Sequence, residues 1–205
     1  MKKLIFILLL NIIVTGSCYA KTWAFISLKD GVQLKATISV PNMESNHLTY
    51  FDTAGKRLKV RSENVSYIKV WNEESGQSAS YTMRYTKYKQ YNRSNDNYKL
   101  KGPVWLVERD RNKLITQYQM AATYNVDKKG KMKMTTLNYI YNLFERPGEE
   151  YPTLVYVQPF LKGYIDNYGK KYFKDCPAMI EQTMSKDFPY YEENILIRLY
   201  EKYCQ

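Results

Sequence analysis

Residues able to do chemistry are sparse in this chain, and their densest grouping is Tyr81–Lys101. There Tyr81, Tyr85, Tyr88, Tyr91 and Tyr98 alternate with Arg84, Lys87, Lys89, Arg93, Lys99 and Lys101. Flat aromatic faces set among cations can stack sugars or bases while the charges hold carboxylate or phosphate. Arg84, Tyr85, Tyr88, Lys89 and Tyr91 are therefore the candidate ligand-binding residues. The competing reading is that these tyrosines pack on a sheet and the charges are merely solvated. Lys128, Lys129, Lys131 and Lys133 form a second basic group at an expected hairpin tip, where charge is ordinarily just hydrated.

Catalytic chemistry finds little to work with. His47 is the single histidine, which excludes multi-histidine metal sites and leaves Ser/His or Cys/His catalysis resting on one residue of a polar turn. Glu149 and Glu150 adjoin in a loop, and Glu192 and Glu193 open a helix. An acid/base pair needs side chains converging from two places, which sequence neighbours do not provide. GxSxG, GxxxxGK[ST] and HExxH are all missing from the chain. The sequence thus offers no catalytic residue, no metal ligand and no cofactor, and it argues for a non-enzyme, with a hydrolase ranked last.

The position of these residues depends on the N-terminus. Lys2 and Lys3, the apolar run Leu4–Val14 and the small residues Gly16, Ser17, Cys18 and Ala20 read as a signal peptide over 1–20. Cys18-Tyr19-Ala20 suits an ordinary signal peptidase releasing Lys21. Alternatively, Val14-Thr15-Gly16-Ser17-Cys18 resembles a bacterial lipobox, with Thr15 where Leu is usual, and would anchor a lipoprotein at Cys18. Ordinary cleavage is the preferred reading, and a membrane partner is expected only on the lipobox route. Either way the working compartment is expected to be periplasmic or secreted. Nucleic acid then fits less well than a glycan or another envelope protein.

Cleavage would leave Cys176 and Cys204, a natural disulfide in an exported chain. One opens an expected helix and the other closes the next, without the CxxC spacing of a redox or metal pair. The net charge of +11 falls by two, to +9, if Lys2 and Lys3 leave. The basic residues look scattered along the sequence, which fits an A/T-rich coding bias better than a polyanion-binding field.

The elements that must hold these residues are strands first and helices last. Trp23–Leu28, the Asp30-Gly31 turn and an alternating return strand open a small β module over 21–72. In the return strand Val32, Leu34, Ala36, Ile38 and Val40 point inward, with Gln33, Lys35, Thr37 and Ser39 outward. Asn72–Ser80 reads as a linker or long loop. An antiparallel meander is expected over 73–158, with strands Tyr81–Tyr88, Val104–Glu108, Lys113–Tyr124, Lys131–Phe144 and Thr153–Val157, and a polar loop over Gln90–Lys101. From Pro159 the period becomes helical over 159–205. A first stripe holds Phe160, Leu161, Tyr164, Ile165 and Tyr168. A second helix is capped by Asp175 with Met179, Ile180 and Met184 inward, and a third begins near Tyr191 with Ile195, Leu196, Leu199 and Tyr203 on one face. The fold class is α+β, with a β-rich N-terminal and central region and a three-helix C-terminal segment, because the strands precede the helices instead of alternating with them.

These patterns carry a resemblance. Phe25-Ile-Ser-Leu-Lys-Asp-Gly31 with Leu58–Trp71 resembles β modules in exported proteins of Bacteroides-like bacteria. Those proteins often end as this one does, with a meander, Phe160-Leu-Lys, Tyr172-Phe-Lys-Asp-Cys-Pro177 and a helix closing on Tyr203-Cys204. The relatives are uncharacterised, so the resemblance implies an envelope location, no activity and no transferable site residue. The reading as a whole is an exported, non-catalytic envelope protein acting as a structural or interaction module. The alternative is a binding module for an anionic or aromatic-stacking ligand such as a glycan.

Overall fold

The computed structural model describes residues 21–135, 139–158, 165–185, 187–189, 192 and 194–204. The expected signal segment lies outside these residues, as do Phe160, Leu161, Tyr164, Tyr191 and Glu193. Among the described residues, twelve strands precede three α-helical segments, giving the expected α+β class with β dominant. Ten of the strands form one sheet that runs through both expected β regions.

The N-terminal strands are β1 (Thr22–Leu28), β2 (Gln33–Ser39), β3 (His47–Phe51), β4 (Arg57–Arg61) and β5 (Val65–Asn72). Their order in the sheet is β5-β1-β2-β3-β4, and a 3-10 turn at Ser62–Asn64 leads into β5. Gly31 takes φ +90°, which a side chain would resist, and Leu28 N–H donates to Val32 C=O to close the first hairpin. Period-two alternation sends Ala24 and Ile26, Ala36 and Ile38, Leu48, and Ile68 and Val70 to one buried face. Val32 departs from the expected inward stripe: it sits at the turn and is exposed.

β6 (Tyr81–Asn92) and β7 (Asn97–Arg111) form one long hairpin. The polar loop expected over Gln90–Lys101 is instead paired strand, with Gln90 opposite Lys99 and Tyr91 opposite Tyr98. Cross-strand packing of the two tyrosine rings, 5.7 Å apart, helps hold a segment whose composition alone reads as loop. These two strands serve two cores. Met83, Trp105 and Val107 face the N-terminal core, whereas Val104 and Leu106 face a second core with Tyr118, Met120, Leu143 and Leu154.

Two expected long strands are broken. Lys113–Tyr124 divides into β8 (Thr116–Met120) and β9 (Thr123–Val126), and Lys131–Phe144 divides into β10 (Met132–Thr135) and β11 (Ile140–Glu145). The break lets the β9–β10 hairpin leave the main sheet and lay Tyr124, Val126 and Met132 on the N-terminal core. Tyr124 Oη donates to Trp105 C=O (2.7 Å) and accepts from Ala121 N–H (3.0 Å) at that junction. The loop that follows β5 is tied down there too. Asn72 is buried, its Oδ1 accepts from Glu74 N–H (2.9 Å), and its Nδ2 donates to Val126 C=O (3.4 Å).

β12 (Thr153–Gln158) pairs with β11 and also meets β6 in parallel, Thr153 opposite Lys89. Strands β6, β7, β8, β11 and β12 therefore close on themselves around the second core. The outer side of β8, β11 and β12 is covered by the C-terminal segment. A π-helical turn Ile165–Gly169 runs into α1 (Lys170–Tyr172), followed by α2 (Pro177–Thr183) and α3 (Ile195–Tyr203). Cys176, not Asp175, stands at the N-cap of α2, and Asp175 instead pairs with Arg146 (2.8 Å). Met184 ends α2 in an exposed position; α3 buries Leu196 of the expected stripe together with Ile197 and Tyr200, while Ile195, Leu199 and Tyr203 pack half-buried against the same core. Cys176 and Cys204 are bonded, with Cα atoms 5.3 Å apart, as the sequence suggested.

Candidate functional site

The five candidate residues of β6 point to different neighbours. Arg84 is held by Glu145, with Nη1 2.9 Å from Oε2. Burial alone would lower its pKa, but the adjacent carboxylate outweighs burial and raises it. Tyr85 packs on Trp105, ring centroids 5.4 Å apart. Tyr88 faces a cleft of about 500 Å³ beside Met43, Met120, Tyr141 and Leu154. Lys89 contributes its backbone N–H to Pro152 C=O (2.8 Å), closing the ring of strands. Tyr91 lies between Tyr98 and Tyr168, with Lys171 Nζ 4.4 Å over its ring, and its hydroxyl bonds Asp96. Arg84, Tyr85 and Tyr88 line three separate clefts, so one ligand does not meet them together. The reason is geometric: neighbours on a strand face opposite sides, and β6 is shared between two cores.

A different surface brings aromatics and cations together. Opposite the buried face of β1, β2 and β5, register places Trp23 beside Trp71 and Thr37, and Phe25 beside Lys69 and Lys35. Tyr67 follows on β5 opposite Ser27. Phe25 is 37 % exposed and Tyr67 41 %. Phe25 leans on Trp71 with ring centroids 5.1 Å apart, and Lys35 Nζ lies 5.3 Å over the Trp23 ring. A cleft of about 330 Å³ opens beside this face, lined by Lys21, Trp23, Lys35, Thr37 and Phe51 among others.

The charge of this region is one-sided. Strands β1–β5 contain no Asp or Glu, yet they carry Lys35, Arg57, Lys59, Arg61 and Lys69. Three carboxylates of the connecting turns are engaged locally, and Glu44, between β2 and β3, is exposed. Asp30 accepts from Val32 N–H, Asp52 from Ala54 and Lys56 N–H, and Glu63 pairs with Arg61. Folding thus brings these five basic residues, spread along the sequence, onto one stretch of sheet. The signal was legible in outline, since Trp23 and Phe25 occupy the phase opposite Ala24 and Ile26, where a half-exposed strand ordinarily carries polar residues.

Other chemistry-bearing groups serve the fold. Glu149 Oε2 accepts from Tyr172 Oη and from Arg146 N–H, both at 2.8 Å. Arg146 lies over the rings of Tyr172, Tyr200 and Phe173 at 4.6–5.8 Å and donates to Tyr172 C=O. His47 opens β3, exposed, with Nδ1 2.7 Å from Asn46 Oδ1. Among the described residues no group of three or more His, Cys, Asp or Glu is placed to hold a metal ion, and no helix is long and apolar enough to cross a membrane. In comparison with known proteins, no family model, no curated protein and no solved structure matches the chain.

Proposed function

We propose that this protein is an exported, non-catalytic module of the cell envelope that acts by surface contact. The observation that carries this reading is the outer face of β1, β2 and β5, where Trp23, Phe25 and Tyr67 stand among cations on strands without a carboxylate. Isolated exposed apolar residues need no explanation, but an adjoining group of aromatics on one sheet face is the pattern of an interaction surface. Export is supported by the Met1–Ala20 pattern, the resemblance to exported β modules, and the Cys176–Cys204 bond, which belongs in an oxidising compartment. The carboxylates best placed for chemistry, Glu145 and Glu149, are occupied by Arg84 and by Tyr172 with Arg146.

Mass spectrometry of the native N-terminus in fractionated cells tests this reading. A chain beginning at Lys21, or at diacylglyceryl-Cys18, in an envelope or secreted fraction supports it. An intact Met1 chain in the cytoplasm overturns it.

The charge of the same face favours a second reading, a binding module for an anionic or aromatic-stacking ligand. Stacking faces and uncompensated ammonium groups suit such a ligand better than an apolar protein surface.

A further inference from the structure

The outer face of the N-terminal sheet differs from the clefts around β6 in one chemical respect. In the β6 cleft that Tyr118 lines, both arginines already have a carboxylate partner, Arg84 in Glu145 and Arg111 in Glu108. On the outer face, Lys35 and Lys69 stand on strands with no acidic residue, and among the described residues neither lies at ion-pair distance from a carboxylate. Lys35 is poised over the Trp23 ring, so a group stacked on the indole would sit beside an ammonium. Asp52, the acid of the adjoining cleft, is committed to the N–H groups of Ala54 and Lys56 through its Oδ1.

We propose that this face binds an acidic polysaccharide: the sugar rings stack on Trp23 and Phe25, and their carboxylates meet Lys35 and Lys69. This rests on the contact-module reading and deepens it by naming the ligand and its site. Three features favour a sugar polymer. Trp23 and Phe25 alternate along one strand and lie on the same side, about 7 Å apart by strand geometry, which offers successive stacking platforms. The cations are lysines, point charges suited to carboxylates spread along a chain, whereas a bidentate fork for a single phosphate would call for arginine. The cleft beside Trp23, about 330 Å³, lies within the range of small-ligand sites and leaves room for a ring to enter between Lys35 and Phe51.

The test is titration of polygalacturonate into the protein as its host processes it, followed by tryptophan fluorescence and repeated at rising salt. Binding should occur, weaken as salt screens the lysines, and fall roughly tenfold or more in Trp23→Ala. Because Trp23 is partly buried, the surface variant Lys35→Gln/Lys69→Gln, which leaves the core untouched, should also lose roughly tenfold. Tyr88→Ala, in the separate cleft on β6, should bind as the parent does. Equal binding of neutral dextran, or tighter binding of a single-stranded oligonucleotide, overturns the proposal, the latter in favour of nucleic acid. So does absence of polygalacturonate binding, or a loss seen in Tyr88→Ala but not in the lysine variant. None of these outcomes bears on where the native chain begins, so the export reading stands or falls by the N-terminal measurement alone.

Discussion

Strands β1, β2 and β5 have one face against a core and the other open, whereas β8, β11 and β12 are buried on both. The first group carries Phe25 at 37 % exposure; the second group packs Phe144 beneath Phe173, and both rings are essentially buried. Aromatic residues of the same kind therefore do different work in the two regions. In the covered region they hold the C-terminal segment onto the sheet, and in the open region they are available for contact. Stability should concentrate in the covered region and binding in the open one.

The largest expected effect comes from uncovering the second region. Phe173 is 1 % exposed and packs on Phe144, Tyr172 and Tyr200 at ring-centroid distances of 4.9–5.7 Å. Phe173→Ala should cost about 3–5 kcal/mol, measured by denaturant unfolding, since a buried aromatic leaves a cavity its neighbours fill only in part. A loss under about 1 kcal/mol would mean that the helices contribute little to the fold.

Cys176→Ser follows closely. The bond spans 28 positions and closes α2 against the end of α3. On the chain-entropy account its loss costs about 3–4 kcal/mol and lowers Tm by several degrees. A Tm unchanged between the reduced and oxidised parent would contradict this.

Asn142→Ala should cost about 1–3 kcal/mol by strand-specific loss of buried hydrogen bonds. Asn142 is fully buried, and its Oδ1 accepts from Gln117 Nε2 (3.1 Å) and Gln119 Nε2 (2.9 Å), while Gln117 also reaches Tyr156 Oη (3.2 Å). Removing that shared acceptor leaves the buried Gln119 amide unpaired and Gln117 with Tyr156 alone. Thermal melts of Asn142→Ala beside Thr116→Ala, a half-buried neighbour on β8, would separate the network from general strand loss.

This network also shows where sequence reading stops. Thr116-Gln-Tyr-Gln-Met120 alternates polar and apolar, the pattern of a strand with one wet face. Gln117 and Gln119 are nonetheless buried, because the covering segment lies some 50 residues or more further along the chain. By contrast, Ala24, Ile26, Ala36 and Ile38 declared their inward face directly, since a local hairpin fixes their register. The helical residues at the end were legible as elements and in part by face: Met179 and Leu196 are buried as expected, while Ile197 and Tyr200 are buried beside them, the Tyr200 ring under Arg146. The candidate site failed for a related reason. Tyr81–Lys101 is a cluster in sequence, and the strand period divides it in space. The outer face of β1, β2 and β5 gathers residues up to 48 positions apart, and only strand order brings them side by side.

Alkaline pH should also act on the covered side. Burial, and after it the Glu145 carboxylate, pushes the Tyr118 phenol up to about 12, and burial raises Tyr172 as well. The folded chain then holds these protons more tightly than the unfolded one, whose phenols titrate near pH 10. The stabilisation is complete below about pH 10 and is lost as pH rises toward the folded values, by about 1.4 kcal/mol per pH unit for each such group. Unfolding free energies that stay level from pH 9 to pH 11.5 would refute this.

The smallest effect sharpens the comparison most. Phe25→Ala removes a ring that covers part of Trp71 but fills no cavity in the core, because the inward positions of β1 are Ala24 and Ile26. Its stability cost should stay within about 0.5–1 kcal/mol, the range of a surface aromatic contact. The same truncation at Phe173 should cost several times more, although both residues are phenylalanines beside another aromatic ring. Paired unfolding curves for the two variants decide the point. Equal losses would mean that the outer aromatics are held for the fold, and the open face would cease to be a separate surface. A large loss at Phe173 and almost none at Phe25 would leave Trp23, Phe25 and Tyr67 with no stabilising role sufficient to explain their exposure, which is the condition a contact surface must meet.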